Sequence, residues 1–180
     1  MYRSIKIFVL MVVFFAAACP AQADGISPSG AQFVKLDSNG QRLPGDAAEW
    51  AMVLDSATGL IWEVKTTDGS IHDMQAGYDW EGAHDVFLAR LNTMKFGGFS
   101  DWRLPTTEEL RTLRVDGGEP NINRDFFPHT VPSSYMSWRK CGSGEIFDEQ
   151  IKFGKIRSKK TNRHVRAVRW GGALAAGKSE

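Results

Sequence analysis

The sequence predicts an α+β domain made of short antiparallel strands, two helices and long loops. Apolar runs of strand length, separated by turn residues, occupy the first and the last part of the domain. Between them, residues 78–99 switch to an apolar spacing of three and four, which is typical of an amphipathic helix. Strands grouped on both sides of a helical segment favour α+β over an alternating α/β fold.

The N-terminal residues predict export. Arg3 and Lys6 precede an apolar run at 8–18, which is shorter than the about 20 residues of a membrane span. Small residues at Ala21 and Ala23 then predict cleavage after Ala23. The predicted organisation is a signal peptide at 1–23, a flexible leader at 24–32, a domain at 33–170 and a flexible tail at 171–180.

Cysteine usage bears on both compartment and fold. The alternative to a cleaved signal is a lipoprotein anchored through Cys19, although Ala16 stands where such sites usually carry a larger aliphatic residue. Cleavage leaves Cys141 alone, so we expect no intramolecular disulfide. Cys141 is predicted to be a loop thiol, with an intermolecular disulfide or a reactive thiol as the alternative. No second apolar span follows, and the periplasm, the cell surface and the medium all stay open as the location.

The first strands are marked by their turns. Residues 33–43 predict a hairpin because an Asn-Gly pair lies between apolar residues. Residues 50–54 and 60–65 predict two further strands, since Asp55 can accept backbone N–H bonds and Gly59 can take a positive φ. The core aromatic residues predicted here are Trp50 and Trp62.

The first helix is predicted over residues 80–94. Asp79 can cap its start, and Gly97 and Gly98 suit the left-handed backbone that ends a helix. Its predicted buried positions are Trp80, Ala83, Phe87, Leu91 and Met94.

A second, shorter helix is predicted over residues 107–114. Pro105 holds the preceding residue extended and places Thr106 as the N-cap, with Glu109 three residues later. This spacing predicts a capping box, and Pro105 can pack on Leu110. Loss of the Thr106 hydroxyl would cost about 1 kcal/mol.

The last part of the domain is predicted to be a loop followed by strands. Phe126 and Phe127 are expected to fill the core from that loop. The stretches MSWRK, EIFDEQIKFGKI and HVRAVRW predict three or four short strands, with turns at 142–144 and 157–163.

Several of these stretches together resemble a known family. The segments DSATGLIWEV, YDWEGA, LNTMKFGGFSDWRLPTTEEL, SYMSW, IKFGKI and VRAVRW occur in order from Phe33 to Trp170. They are similar to the DUF1566 family, also called the Lcl C-terminal domain family. The resemblance implies a C-type-lectin-like α+β fold, related in shape to formylglycine-generating domains. It also implies a secreted or surface-bound bacterial protein and, from one member, an adhesin module that binds sulfated polysaccharides on a trimeric stalk.

The chain departs from that member in three ways. It has no collagen-like repeat that would form a stalk, and it lacks the paired cysteines of some relatives. Residues 135–138 read Tyr-Met-Ser-Trp where many members have Tyr-Trp-Ser. Oligomeric state and ligand are therefore not carried over, and a homo-oligomer stays open.

Charge is segregated along the chain. Residues 24–138 hold nine Lys and Arg against seventeen Asp and Glu, a balance of −8, whereas residues 139–170 hold ten against three, a balance of +7. The basic part predicts a surface for an anionic glycan or cell-surface polymer. The alternative is a solvated turn that keeps the protein soluble. The predicted ligand-binding residues are Lys152, Lys155, Arg157, Lys159, Lys160 and Arg163.

Other conspicuous residues are predicted to be structural. Trp102 is expected to be buried, with Arg103 paired to Asp101 or Glu109; a ligand-facing pair is the alternative. Arg166 and Arg169 would lie on opposite faces of a strand, one paired internally and one exposed. The predicted structural residues are Trp62, Trp80, Asp101, Trp102, Arg103, Pro105, Thr106, Glu109, Arg166 and Arg169.

No catalytic or metal pattern is recognised. Nucleophile, phosphate-loop and dinucleotide motifs are absent from the sequence. The histidines lack paired metal spacing, and the acidic loops that begin at Asp37 and Asp116 lack calcium-loop spacing. We therefore expect a non-enzymatic domain with no cofactor and no nucleic-acid partner, and the family resemblance implies that it is an exported, lectin-like binding domain. The alternative is a structural or interaction module of an envelope assembly.

Overall fold

The computed structural model describes residues 32–140, 146–152 and 162–174. Within them the chain forms two four-stranded sheets with short helical segments, which confirms the α+β prediction. Cys141 and the segments predicted as signal peptide and as most of the leader lie outside the described residues. In the described part of the chain no helix is both long and apolar enough to cross a membrane.

The first sheet joins the two ends of the domain. It contains β1 (Phe33–Leu36), β2 (Met52–Asp55), β3 (Leu60–Glu63) and β8 (Val168–Trp170), in the order β1-β2-β3-β8, and all neighbours are antiparallel. The late strand β8 is therefore the neighbour of the early strand β3. The described fold continues past β8 into a 3-10 turn at Gly172–Leu174.

The turn between β2 and β3 forms as predicted. Asp55 accepts bonds from the Ala57 N–H at 3.0 Å and the Thr58 hydroxyl at 2.7 Å, and Gly59 has a φ of +72°. The predicted first hairpin is wrong in one respect. Its return is a single bridge between Leu36 and Arg42, and the main partner of β1 is β2.

The two faces of the first sheet carry two separate hydrophobic clusters, because alternate side chains of a strand point to opposite faces. Val53 and Trp62 belong to one cluster, and Leu54 and Ile61 to the other. The first, called the Trp62 cluster, consists of Phe33, Val53, Leu60, Trp62, Val64, Leu110, Leu113, Ile122, Phe127, Tyr135 and Val168.

The second sheet contains all of the predicted C-terminal strands except β8, together with one short earlier strand. It has the order β4 (Gly77–Tyr78), β7 (Arg163–His164), β5 (Ser134–Lys140) and β6 (Ile146–Lys152). Strands β5 and β6 form an antiparallel hairpin, whereas β5 and β7 are parallel.

The predicted first helix is observed as three consecutive pieces. They are α1 (Trp80–Gly82), a π-helical segment (Ala83–Leu88) and α2 (Ala89–Thr93). The Asp79 side chain accepts from the Gly82 N–H at 2.8 Å, which confirms the cap. Phe87 and Leu91 are buried as predicted.

The predicted burial of Met94 is wrong, since 54% of this residue is exposed. The helix ends one residue before it, and the π-helical segment widens the turns and rotates later positions around the axis. Lys95 takes the first left-handed position, with a φ of +52°, and Gly97 and Gly98 follow at +66° and +82°.

The second predicted helix is α3 (Thr107–Arg111), shorter than expected at its C-terminal end. Its capping box is present. The Thr106 hydroxyl accepts from the Glu109 N–H at 3.1 Å, and the Glu109 carboxylate accepts from the Thr106 N–H at 2.8 Å. Pro105 is buried immediately before the cap.

Candidate functional site

An open cleft of about 390 Å³ lies beyond the C-terminal end of β3. Three chain segments form it, at residues 48–50, 64–68 and 128–129. Trp50 and Val64 also pack in the Trp62 cluster, so the cleft lies on that side of the first sheet. We call it the Trp50 cleft, and its lining residues are Ala48, Glu49, Trp50, Val64, Lys65, Thr66, Thr67, Asp68, Pro128 and His129.

The Trp50 indole is fixed in place by two contacts. Its Nε1–H donates to the Phe126 carbonyl oxygen at 2.9 Å. The Lys35 ammonium lies 3.8 Å from the centre of the indole ring and donates to the Ala47 carbonyl oxygen at 2.7 Å. Because the ring is already oriented, binding of a ligand on it would cost little side-chain entropy of Trp50.

Two exposed carboxylates line the cleft. Glu49 has no hydrogen bond or ion pair within the described residues. Asp68 accepts from the Thr66 hydroxyl at 2.6 Å and from the Ser70 N–H at 3.0 Å. The hydrogen bonds from Thr66 and Ser70 lower the pKa of Asp68 well below its usual value, so this carboxylate is ionised at neutral pH.

A buried charge cluster lies directly behind the cleft. The Lys65 ammonium donates to Glu63 Oε1 at 2.9 Å, and His72 Nδ1 lies 2.8 Å from the same oxygen. Glu63 Oε2 accepts from the Ala167 N–H at 3.0 Å. Lys65 is 3% exposed and Glu63 is fully buried, so the ammonium is held inside the protein.

Burial acts on the pKa values of Glu63 and Lys65 in opposite directions, because it opposes the charged form of each group. Burial alone would raise the pKa of Glu63, but the Lys65 ammonium and the bonds from His72 and Ala167 outweigh it and hold that pKa below its usual value. Burial lowers the pKa of Lys65, and the Glu63 carboxylate opposes that effect. Removal of either partner would therefore leave the other as a buried charge without its counter-ion.

Arg166 extends the buried cluster to the other face of the sheet. Its guanidinium donates to the Glu63 carbonyl oxygen at 2.7 Å and to the Thr130 hydroxyl at 2.9 Å, and it lies over the Phe127 ring at 5.0 Å. Arg166 is 1% exposed, and burial lowers its pKa.

The expectation that Arg166 or Arg169 is exposed is wrong. Arg166 lies before the first residue of β8, so the alternation of side chains along a strand does not determine which way it points. Arg169 donates to Asp101 at 2.7 Å, lies 3.6 Å from the centre of the Phe99 ring and has a side chain only 11% exposed. Both guanidinium groups are therefore used inside the fold.

The segment GFSDWRLPTTEEL is a structural joint. Trp102 is 2% exposed, its Nε1–H donates to the Phe96 carbonyl oxygen at 2.9 Å, and its backbone is bonded on both sides by Asn92. Arg103 makes two bonds to the Glu109 carboxylate, at 2.8 and 2.6 Å, which resolves the predicted choice between Asp101 and Glu109.

The same carboxylate therefore serves both the helix cap and Arg103. Burial would raise the pKa of Glu109, but the bonds from Arg103 and Thr106 lower it.

Trp80 is half-buried at the start of α1, with its ring 4.6 Å from that of His84.

The predicted basic run falls largely outside the described residues. Lys152 ends β6, and Arg163 is half-buried in β7, where it pairs with Tyr78 in the strand register. The four residues between them that were also predicted to bind are Lys155, Arg157, Lys159 and Lys160, and they lie in the undescribed segment 153–161.

Sequence reasoning missed both the cleft and the charge cluster. A usable indication was present in WEVK at 62–65, where two opposite charges stand two residues apart in an otherwise apolar strand. Such a pair shares one face of the strand, and a charge on a buried face requires a partner. In the described part of the chain, no group of three or more His, Cys, Asp or Glu could hold a metal ion.

Comparison with known proteins identifies a family for most of the domain. The model of the Lcl C-terminal domain matches residues 51–169. The match spans β2 to β8 and begins directly after Trp50. No curated protein and no solved structure matched the chain.

Proposed function

The chain belongs to the Lcl C-terminal domain family, and from this premise we propose that it is an exported, non-enzymatic, C-type-lectin-like domain that binds polysaccharide. The observation that carries the proposal is the Trp50 cleft, where a fixed indole is surrounded by hydrogen-bonding side chains. The predicted signal peptide at 1–23 supports export.

The chemistry of the cleft suits a sugar ring. A sugar has an apolar C–H face and a rim of hydroxyl groups, so it needs an apolar surface and several polar side chains close together. Trp50, Val64 and Pro128 supply the apolar surface. The hydroxyl groups of Thr66 and Thr67 and the nearby carboxylates supply hydrogen-bonding groups. The volume of about 390 Å³ falls in the range of small-molecule sites.

We predict that Trp50→Ala removes sugar binding. On a glycan array, the wild-type protein should give hits that survive high salt, and the variant should lose them by at least tenfold in signal. Trp170→Ala is the matched control, because Trp170 is 60% exposed and does not line the cleft. Trp50→Phe, which keeps an aromatic ring, should retain part of the signal.

Loss of binding in both tryptophan-to-alanine variants would contradict the assignment of the cleft. An array without any salt-resistant hit would contradict sugar binding and favour the alternative, a structural or interaction module of an envelope assembly. Thermal unfolding of each variant separates loss of binding from loss of the fold.

The basic run supports a second, electrostatic contribution to binding. Lysines and arginines close in sequence attract sulfated or phosphorylated polymers, and this attraction is screened by salt. We predict that retention on a heparin column falls stepwise as Lys155, Lys159 and Lys160 are replaced by alanine. Unchanged retention in the triple variant would show that the basic run does not bind. Lys95→Ala, a change at an exposed lysine outside the run, serves as the control.

A further inference from the structure

We propose that the Trp50 cleft selects sugar units that bear no negative charge, with preference for a unit that carries an amino group. This inference rests on the proposed function and narrows its ligand class. It assigns the cleft a specificity different from that of the basic run. The cleft and the basic run would then bind different parts of a polymer.

The charges that face solvent in the cleft are carboxylates. Glu49 and Asp68 are both exposed lining residues. Glu49 makes no hydrogen bond or ion pair with any described residue, so its oxygens are available to a ligand. A ligand sulfate or carboxylate in the cleft would meet two like charges, whereas a protonated amine would meet two opposite charges.

The two lysines near the cleft do not offset this charge at its surface. Lys65 lines the cleft, but its ammonium is 2.9 Å from Glu63 Oε1 and its side chain is 3% exposed. Lys35 is 9% exposed, and its ammonium is bound to the Ala47 carbonyl oxygen and the Trp50 ring. Movement of Lys65 toward a ligand anion would leave the buried Glu63 carboxylate without its counter-ion, and movement of Lys35 would break its contacts with Ala47 and Trp50.

The orientation of Asp68 is fixed by its own turn. The Thr66 hydroxyl and the Ser70 N–H both donate to Oδ1. These bonds hold the side chain in position, and the carboxylate is exposed to a ligand in the cleft. Glu49 lies on the opposite segment, next to Trp50, so the two carboxylates approach a bound ring from different segments of the cleft.

The test measures three oligosaccharides of equal length by calorimetry at low salt: a chitin fragment, which is neutral, a chitosan fragment, which carries amines, and a heparin fragment, which is anionic. The wild-type protein should bind the chitosan fragment several-fold more tightly than the chitin fragment. Both should lose at least tenfold in affinity in Trp50→Ala. Affinity for the heparin fragment should be unchanged by Trp50→Ala.

Two charge variants examine the specificity itself. In Glu49→Gln with Asp68→Asn, the preference for the chitosan fragment should disappear, while binding of the chitin fragment should stay within about twofold. Asp68→Asn keeps an oxygen acceptor for Thr66 and Ser70, so the turn can be retained. Asp85→Asn, at an exposed carboxylate on the π-helical segment, is the matched control and should change nothing.

The outcomes separate this inference from the proposed function. If the heparin fragment competes with the chitin fragment and depends on Trp50, the cleft accepts anions and the inference is overturned, while sugar binding stands. If no fragment binds and the glycan array is also empty, the proposed function and the inference both fall. Unchanged chitosan preference in the double variant overturns the role of Glu49 and Asp68.

Discussion

Replacement of Glu63 by glutamine is expected to lower the free energy of unfolding by about 3–5 kcal/mol, which would be the largest effect of any single change considered for this domain. Glutamine carries no charge, and its single side-chain oxygen can accept either from Lys65 or from the Ala167 N–H, but not from both, because these donors bond to different oxygens of Glu63. The Lys65 ammonium, 3% exposed, would then be a buried cation without its carboxylate. Chemical denaturation followed by tryptophan fluorescence measures the loss.

A double variant separates the ion pair from its packing. Replacement of Glu63 by glutamine together with Lys65 by methionine removes both charges, and methionine keeps most of the lysine volume in contact with Phe87. The Lys65 ammonium lies 4.5 Å from the centre of the Phe87 ring. We expect the double variant to recover most of the stability lost in the single one, because neutral replacement of a buried pair is often tolerated. A single variant that loses under about 1 kcal/mol would contradict the account.

The same pair gives the stability an acid dependence with a defined sign. The pKa of Glu63 in the folded protein is below the usual 4.5, so folding favours its ionised form. That stabilisation is complete above the unfolded-state pKa and is lost as the pH falls from about 4.5 through the folded-state pKa. The pKa of Glu109 is lowered in the same direction. In this acid range, the free energy of unfolding of the wild type should fall more steeply than that of Glu63→Gln.

Replacement of Gly97 by alanine is the second change with a large expected effect. Gly97 has a φ of +66°, and a Cβ at this position would lie 2.5 Å from Met52 Cε and 2.6 Å from Met52 Sδ. Met52 is fully buried in β2. Left-handed backbone costs alanine about 1–2 kcal/mol. The end of the Met52 side chain is flexible but fully buried, so overpacking adds an amount at the low end of about 1–3 kcal/mol.

The neighbouring glycine supplies the control for this prediction. Gly98 has a φ of +82°, but a Cβ there would meet no atom within 4 Å. Alanine at position 98 should therefore cost only the backbone term of about 1–2 kcal/mol. Equal losses of stability in the two variants would show that contact with Met52 contributes nothing.

The features that the sequence predicts well are those encoded by adjacent residues. The capping box depends on Thr106 and Glu109, and the β2–β3 turn on Asp55 and Gly59; each is confirmed. The C-terminal end of the second helix and the burial of Met94 were predicted less well, and the π-helical segment changes the angular spacing on which the burial of Met94 was predicted. An apolar period cannot distinguish a regular turn of helix from a widened one.

The cleft and the charge cluster could not be predicted, because residues far apart in sequence form them. Arg166 reaches the Glu63 carbonyl oxygen across 103 positions of the chain. The cleft likewise combines the segments at 48–50 and 64–68 with one at 128–129. No local pattern reports such contacts. The segregation of charge along the sequence predicted the ligand site at the basic run, whereas the geometry of the described residues favours the cleft.

The position of β8 beside β3 has a consequence for how the chain is synthesised. The β3 strand leaves the ribosome more than a hundred residues before β8, its second partner beside β2, since Ile61 aligns with Arg169 and Trp62 with Val168. Until then one edge of the nascent first sheet has unpaired N–H and C=O groups. Pairings between distant segments also slow folding, because the intervening loop must be closed first. Completion of the first sheet therefore has to wait until β8, more than a hundred residues after β3, has been synthesised.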